Sequence, residues 1–231
     1  MHMLRWCAEV VWRFPRLTPA ERTRQVQIWA RTLLTRLDVE LKMVGTPPQA
    51  GPLLLVANHI SWVDILALHA ACHCRFVAKA DVRRWPVIGT LATGAGTLYV
   101  QRESRRDAMR MVHEMAQALR DGDILAVFPE GTTGDGDSVL PFHANMVQAA
   151  IAADAPVQAV AIRYVDARSG KASHTISYMG DESLVSSIWR TLSAQEVCAV
   201  VSFGTVQGAD GRDRRVCVNE LRREIVAMRQ A

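Results

Sequence analysis

A histidine and an aspartate five positions apart, His59 and Asp64, are the residues whose types and spacing suit chemistry. They follow an apolar run, residues 52–57, that predicts a buried strand. Ser61 and Asp64 have the spacing of a capping box, which predicts that a helix begins there. His59 would then lie in the strand-to-helix turn, and Asp64 in the first helical turn.

This arrangement is suited to general base catalysis. A carboxylate that accepts a hydrogen bond from one imidazole nitrogen fixes the tautomer and raises the basicity of the other nitrogen. That second nitrogen would face the C-terminal edge of a sheet, where open α/β sheets place their sites. In the alternative interpretation, Asp64 only caps its own helix and His59 is an ordinary turn residue.

A second predicted strand, residues 124–127, also ends in a turn with polar side chains. The turn contains Phe128-Pro129-Glu130-Gly131-Thr132, so an acid and a hydroxyl follow the strand directly. A plain surface turn is the alternative here. Two further stretches lie between the motifs, Lys79 to Gly89 and Gly96 to Arg102.

Taken together, these four blocks resemble the glycerolipid acyltransferase superfamily, which contains the lysophosphatidic acid acyltransferases. The blocks are Asn58 with the His-x4-Asp motif, the lysine–proline–glycine stretch from Lys79, the glycine-to-arginine stretch from Gly96, and Phe-Pro-Glu-Gly at 128–131. They occur in the family's order and at its usual spacings, over roughly residues 40–165. Each block alone is a weak signal, and the ordered set is a specific one.

The resemblance implies acyl transfer from a thioester, acyl-CoA or acyl carrier protein, to the hydroxyl of a lysophospholipid. The simplest acceptor is 1-acyl-sn-glycerol-3-phosphate, with His59 as base and Asp64 as its partner. Arg102 would hold the phosphate, because a guanidinium fork matches phosphate oxygens. Glu130 would accept from a glycerol hydroxyl or orient Arg102. The implied substrate-binding residues are Asn58, Lys79, Gly96, Arg102, Phe128, Pro129, Glu130, Gly131 and Thr132.

This chemistry calls for neither a cofactor nor a metal. A thioester is already activated, so a base that takes the alcohol's proton suffices without a covalent enzyme intermediate. The chain has no Gly-x-Ser-x-Gly elbow and no phosphate-binding glycine loop of the P-loop or dinucleotide type. His69 and His73 have the spacing of a shared metal site on a helix, but a second ligand group is missing. A helix end packed near a strand is the favoured interpretation.

Departures from the family pattern leave the acceptor open. Ala159 stands where the family has a second proline, and His143-Ala144 replaces a basic residue and a glycine. Asp135 and Asp137 add acids near the acceptor side. A lyso-ornithine lipid is therefore an alternative acceptor. From a different class, the chain could be a lipid-binding protein or a lipid hydrolase in which water replaces the alcohol.

The first 40 residues predict an amphipathic helical segment ahead of an acyltransferase domain at 41–231. Apolar residues recur at helical spacing over 3–14 and 20–37, and Pro15 and Pro19 separate the two helices. Tryptophan and arginine on the first helix suit a membrane interface, which predicts peripheral attachment at the cytoplasmic face. No stretch reaches the roughly 18 apolar residues of a spanning helix. Packing against the protein core is the alternative.

Strands and helices alternate through the middle, which predicts an α/β fold with a mixed, largely parallel sheet flanked by helices. The pattern predicts a helix from Ser104 to Asp121, with Ser104 as its N-cap and Gly122 as its stop signal. The other predicted elements are strands at 157–162, 175–179 and 197–203, and helices at 143–153 and 214–229.

Composition fits a globular lipid enzyme without identifying one. The 231 residues are 49% hydrophobic and carry a net charge of +4, almost all of the positive charge from arginine. Anionic lipid headgroups or a GC-rich bacterial genome would each explain that bias. No basic stripe with interleaved aromatic residues indicates nucleic-acid binding. Five scattered cysteines, with no secretory signal, predict free thiols in a reducing compartment.

Overall fold

The computed structural model describes residues 2–101, 104–180, 182–194, 196–209 and 211–230. Over these residues the chain forms a seven-stranded sheet with helices on both faces. The predicted α/β fold with a mixed, largely parallel sheet is confirmed.

The elements alternate along the chain. The strands are β1 (Val39–Val44), β2 (Leu53–Ala57), β3 (Arg75–Lys79), β4 (Leu98–Val100), β5 (Ile124–Val127), β6 (Val157–Asp166) and β7 (Val197–Gln207). The helices are α1 (His2–Trp12), α2 (Pro19–Arg36), α3 (Val63–Ala71), α4 (Ile88–Gly94), α5 (Arg105–Arg120), α6 (Gln148–Ala153), α7 (Leu184–Ser193) and α8 (Arg214–Gln230).

Strand order brings the two sequence motifs together. The order is β1-β7-β6-β2-β5-β3-β4, and every neighbouring pair is parallel except β6 with β7. β2 lies between β5 and β6, so the carboxyl ends of all three strands meet at one edge of the sheet. The turns that follow β2 and β5 contain His59 and Glu130, and they are therefore neighbours.

The central strand separates two apolar cores. All five residues of β2 are buried, as expected for a strand covered on both faces. Leu53, Leu55 and Ala57 face the core beneath α2 and α3. Leu54 and Val56 face the core beneath α5, α6 and α8.

The residues at the helix ends form the caps that their types favour. Ser104 caps α5 in a reciprocal capping box with Asp107, as its position predicted. Gly122, just beyond the end of α5, has a φ of +92°, a conformation that favours glycine. Thr18 and Glu21 form the same kind of box at the start of α2.

The N-terminal segment packs on the body of the protein through one side of α1. Trp6 and Phe14 are buried in a small cluster with Val26 of α2 and Leu91 of α4. Ordinary packing therefore explains that part of the predicted stripe. Val11 of the stripe and Trp12 beside it remain exposed. The side chains of Met3 and Leu4 lie outside the described residues.

The predicted strand at 175–179 is wrong. The segment forms a turn, with the Ser177 backbone N–H donating to the His174 carbonyl. Ile176 is buried in the core under α3, and the Tyr178 N–H donates to the Ile60 carbonyl. The segment covers the turn after β2, so Ile176 is buried without strand pairing, while Met179 is exposed. The predicted helix at 143–153 is divided into a 3₁₀ turn, Ala144–Met146, and α6.

His69 and His73 lie where α3 ends and β3 begins, as the favoured interpretation predicted. His69 is buried edge-on against Phe76, with their ring centroids 4.9 Å apart. Burial penalises the charged imidazole and lowers the pKa of His69 to about 3, with a smaller contribution from His73. His69 is therefore neutral in the folded protein at ordinary pH.

Acidification is expected to destabilise the fold through His69. Its pKa is depressed on folding, so below pH 6.5 the unfolded chain binds a proton that the folded protein does not. Stability is lost as the pH falls from 6.5 toward 3, by about 2 kcal/mol at pH 5. Urea unfolding of the wild type and His69→Leu at pH 7.5 and pH 5 measures this. The variant should lose about 2 kcal/mol less between the two pH values; an equal loss would contradict the expectation.

Candidate active site

The turn between β2 and α3 is organised around the Asp64 carboxylate, which is fully buried in the first turn of α3. Its Oδ2 accepts the backbone N–H groups of Ile60 at 2.7 Å and Ser61 at 2.9 Å. The same oxygen lies 2.8 Å from Nδ1 of His59. The Ser61 hydroxyl accepts from the Val63 N–H, so the predicted capping box forms only in part. Asp64 both stabilises the helix start and orients the imidazole.

His59 is held at an edge and on a face of its ring. Its Nδ1 contacts Asp64, and its ring stacks on Phe128 with centroids 3.9 Å apart and planes 9° apart. Phe128 in turn stacks on Phe76. The side chain is 18% exposed. No group among the described residues hydrogen-bonds to Nε2, which is therefore the nitrogen left for a substrate.

Glu130 joins the two turns that meet at this edge. One carboxylate oxygen accepts the backbone N–H of His59 at 2.7 Å, and the other accepts that of Leu140 at 2.8 Å. Burial raises the pKa of Glu130, and these two hydrogen bonds oppose the rise. The sequence assigned Glu130 to a glycerol hydroxyl or to Arg102. The structure instead engages both oxygens with backbone donors, so Glu130 fixes the turn that contains His59.

Asn58 is likewise occupied by the backbone rather than open to a substrate. The side chain is buried, donates to the Ile162 carbonyl at 2.9 Å and accepts the Ile162 N–H at 2.7 Å. This amide prolongs the β2–β6 pairing beyond Ala57 and Val160. Asn58 therefore links the turn that contains His59 to β6, in place of the predicted contact with a substrate.

The predicted binding residues of the middle blocks differ in what the structure shows of them. Gly96 precedes β4, at the opposite edge of the sheet, where its carbonyl accepts from Nε of Arg75 at 2.7 Å. Its predicted substrate contact is therefore not supported. Lys79 is exposed at the carboxyl end of β3. Arg102 lies outside the described residues.

The turn after β5 presents an exposed surface beside His59. Pro129 accepts the His143 N–H through its carbonyl at 2.9 Å, and Thr132 is exposed. Gly131 has a φ of +73°, and a Cβ there would lie 3.3 Å from the His143 ring. A side chain at position 131 would meet both backbone strain and the imidazole. His143, which departs from the family pattern, thus lies against this turn.

The sequence did not indicate Tyr164, which also contacts the His59–Asp64 pair. Its hydroxyl donates to Oδ1 of Asp64 at 2.5 Å, from a buried position on β6. Burial, and then the negative charge of Asp64, raise the pKa of Tyr164 well above its usual value. The available signal was that Val160, Ile162 and Tyr164 alternate on a buried strand, where a tyrosine hydroxyl needs a partner.

Comparison with known proteins supports an assignment of this site. A family model described as Acyltransferase matches residues 39–163, which is more than half of the chain and includes the His59–Asp64 pair and Glu130. The chain belongs to this acyltransferase family. The protein is therefore an enzyme that transfers acyl groups, with a lipid substrate and an acyl donor.

Relatives resemble the acyltransferase over most of its length. The 1-acyl-sn-glycerol-3-phosphate acyltransferase of Neisseria meningitidis is 37% identical over 213 residues, covering 91% of this chain and 82% of that protein. The lyso-ornithine lipid O-acyltransferase of Pseudomonas aeruginosa is 36% identical and covers 84% of this chain and 73% of that protein.

A solved structure supports the fold of the acyltransferase. The crystal structure of the 1-acyl-sn-glycerophosphate acyltransferase PlsC from Thermotoga maritima superposes with a TM-score of 0.70 at 18% identity. The match covers 98% of this chain and 89% of that one.

Proposed function

We propose that the enzyme esterifies the hydroxyl of 1-acyl-sn-glycerol-3-phosphate, with acyl-CoA or acyl carrier protein as the thioester donor. The observation that supports this most directly is the 2.8 Å contact between Nδ1 of His59 and Asp64, which leaves Nε2 without a partner in the described structure. The Neisseria relatives, whose names specify this acceptor, add support for the substrate class.

The reaction proceeds by direct attack of the lipid hydroxyl on the thioester. Nε2 of His59 takes the hydroxyl proton while the oxygen forms a bond to the carbonyl carbon. The buried Asp64 carboxylate stabilises the imidazolium that forms. The tetrahedral intermediate then collapses and the carbon–sulfur bond breaks. The imidazolium returns the proton to the departing thiolate, which leaves an ester and a free thiol.

The acceptor headgroup is proposed to lie against the turn after β5. Gly131 and Thr132 are exposed there, and Lys79 is exposed at the carboxyl end of β3. A cationic side chain at this edge would favour a phosphate. Phosphate binding by Arg102, which lies outside the described residues, belongs to the same proposal and rests on the resemblance of residues 96–102 to the family's third block.

A lyso-ornithine lipid is the second candidate acceptor, favoured by an acidic loop near His59. Gly134 donates its backbone N–H to the His59 carbonyl at 2.8 Å, which places residues 134–137 beside the catalytic turn. Asp137 and Asp135 follow, and Asp137 lies 3.4 Å from Nε2 of His174. Carboxylates there suit the cationic amine of ornithine better than a phosphate.

An acylation assay with a panel of lyso-lipids tests the function. Lysophosphatidate and lyso-ornithine lipid are each supplied with acyl-CoA or acyl carrier protein, and mass spectrometry follows the ester, the free thiol and any free fatty acid. Lysophosphatidate is expected to show the highest kcat/KM. Clear transfer to lyso-ornithine lipid with none to lysophosphatidate would overturn the acceptor, and fatty acid release without an ester would overturn acyl transfer.

We further propose that the enzyme attaches peripherally to the cytoplasmic face of a membrane through α1. Within the described residues, no helix has the length and apolar character needed to cross a bilayer. Val11 and Trp12 are 56% and 70% exposed, and Arg13 and Arg16 beside them are also exposed. Tryptophan and arginine together suit the headgroup region of a bilayer.

Replacing Val11 and Trp12 with serine is expected to weaken vesicle binding several-fold, because two exposed apolar side chains no longer enter the interface. Co-sedimentation with vesicles that contain phosphatidylglycerol measures the effect. Turnover on detergent-dispersed substrate should stay within twofold, since neither residue contacts the His59 turn. Met109→Ser is the matched control, because Met109 is also 70% exposed but lies on α5, on the other face of the sheet. Equal vesicle binding by all three proteins would remove the proposal.

A further inference from the structure

We propose that Tyr164 is a positioning residue for acyl transfer: its hydroxyl holds the Asp64 carboxylate in the orientation that His59 requires. The inference rests on the proposed role of His59 as the base. Tyr164 is 100 positions from Asp64 in sequence and lies outside the four blocks that indicated the family. The contact arises only because β6 pairs with β2.

The two oxygens of Asp64 have unequal partners. Oδ2 is shared by the backbone N–H groups of Ile60 and Ser61 and by Nδ1 of His59. Among the described residues, Oδ1 accepts only from the Tyr164 hydroxyl, at 2.5 Å. Asp64 is fully buried, so water does not reach Oδ1 to replace a lost donor. Tyr164 therefore fixes the carboxylate plane from the side opposite to His59.

β6 is itself fixed relative to the catalytic turn. Asn58, directly before His59, makes two hydrogen bonds to the backbone of Ile162. Tyr164 lies two residues farther along the same strand, on the same face. The strand thus contacts the turn once before His59 and once after it, at Asp64. This pair of contacts leaves Tyr164 little freedom to follow a displaced carboxylate.

The Tyr164 hydroxyl stays a donor over the working pH range, because burial and Asp64 raise its pKa well above the usual value. The titratable groups around Asp64 are His59, Tyr164 and Glu130. Without the hydroxyl, the carboxylate has one donor fewer and attracts the imidazolium more strongly. The acidic limb of the kcat/KM profile should then move to higher pH.

Tyr164→Phe tests the inference, because it keeps the buried ring and removes only the hydroxyl. The expected result is a roughly tenfold lower plateau kcat, an almost unchanged KM, and an acidic limb displaced toward higher pH. Ile225→Val is the matched control. It costs stability in the core on the other face of the sheet and touches nothing near Asp64, so kcat and the pH profile should not change.

An NMR measurement separates this inference from the proposed function. The Nδ1 proton of His59 should change its resonance in Tyr164→Phe and keep it in Ile225→Val. Should His59→Ala remain active, the base assignment fails, yet the resonance still reports on positioning. An unchanged resonance in Tyr164→Phe, or a kcat within twofold of wild type with an unmoved pH profile, overturns the role of Tyr164.

Discussion

Replacing His59 with alanine is expected to lower kcat by about 10²–10⁴-fold, the usual contribution of a general base. The lipid hydroxyl would lose the group proposed to take its proton, and Asp64 cannot replace it because the carboxylate is buried and points to Nδ1. KM should change much less, because the imidazole is proposed to act in chemistry rather than in binding. Steady-state kinetics with acyl-CoA and lysophosphatidate measure both constants.

Two further measurements make the result interpretable. Circular dichroism and urea unfolding should show a folded variant, since the His59 side chain is lost from a partly exposed site. His113→Ala is the matched control, because His113 is an exposed histidine on α5, on the other face of the sheet. Its kcat should equal that of the wild type. If His59→Ala keeps more than a tenth of wild-type turnover, the base lies elsewhere.

The sequence predicted the contact between His59 and Asp64 because its geometry is local. Five positions across a strand-to-helix turn bring His59 and Asp64 together whatever the rest of the fold does. The family resemblance added Glu130, and the structure shows why the two blocks belong together. β2 and β5 are adjacent and parallel, so their following turns meet.

The binding-site predictions that the structure does not support depended on strand order and on the hydrogen-bond partners of each polar group. Asn58 and Glu130 were assigned to substrate, but at the ends of buried strands their oxygens and the Asn58 amide are used by backbone groups. A sequence alone does not show whether such a polar side chain bonds to the substrate or to the backbone. The glycine of the third block, Gly96, lies at the wrong edge because it precedes its strand instead of following it. The contact between Tyr164 and Asp64 could be predicted only by knowing that β6 is the other neighbour of β2.

Asp64→Asn is expected to lower kcat by about 10²–10³-fold while preserving the fold. The backbone N–H groups of Ile60 and Ser61 need an acceptor, so the amide oxygen should occupy the Oδ2 position. The amide nitrogen then faces Tyr164, whose hydroxyl can accept instead of donate. The His59 tautomer is retained, and the variant loses the negative charge that stabilises the imidazolium. Kinetics and urea unfolding measure the two effects.

The double variant His59→Ala/Asp64→Asn decides whether Asp64 acts through His59. If the carboxylate works only by stabilising the imidazolium, removing its charge matters only while the imidazole is present. The double variant should then be no slower than His59→Ala alone, a strong departure from additivity that marks residues acting as one unit. A kcat that falls by the product of the two single effects would show that Asp64 contributes independently, for instance by shaping the turn, and would separate it from the proposed base.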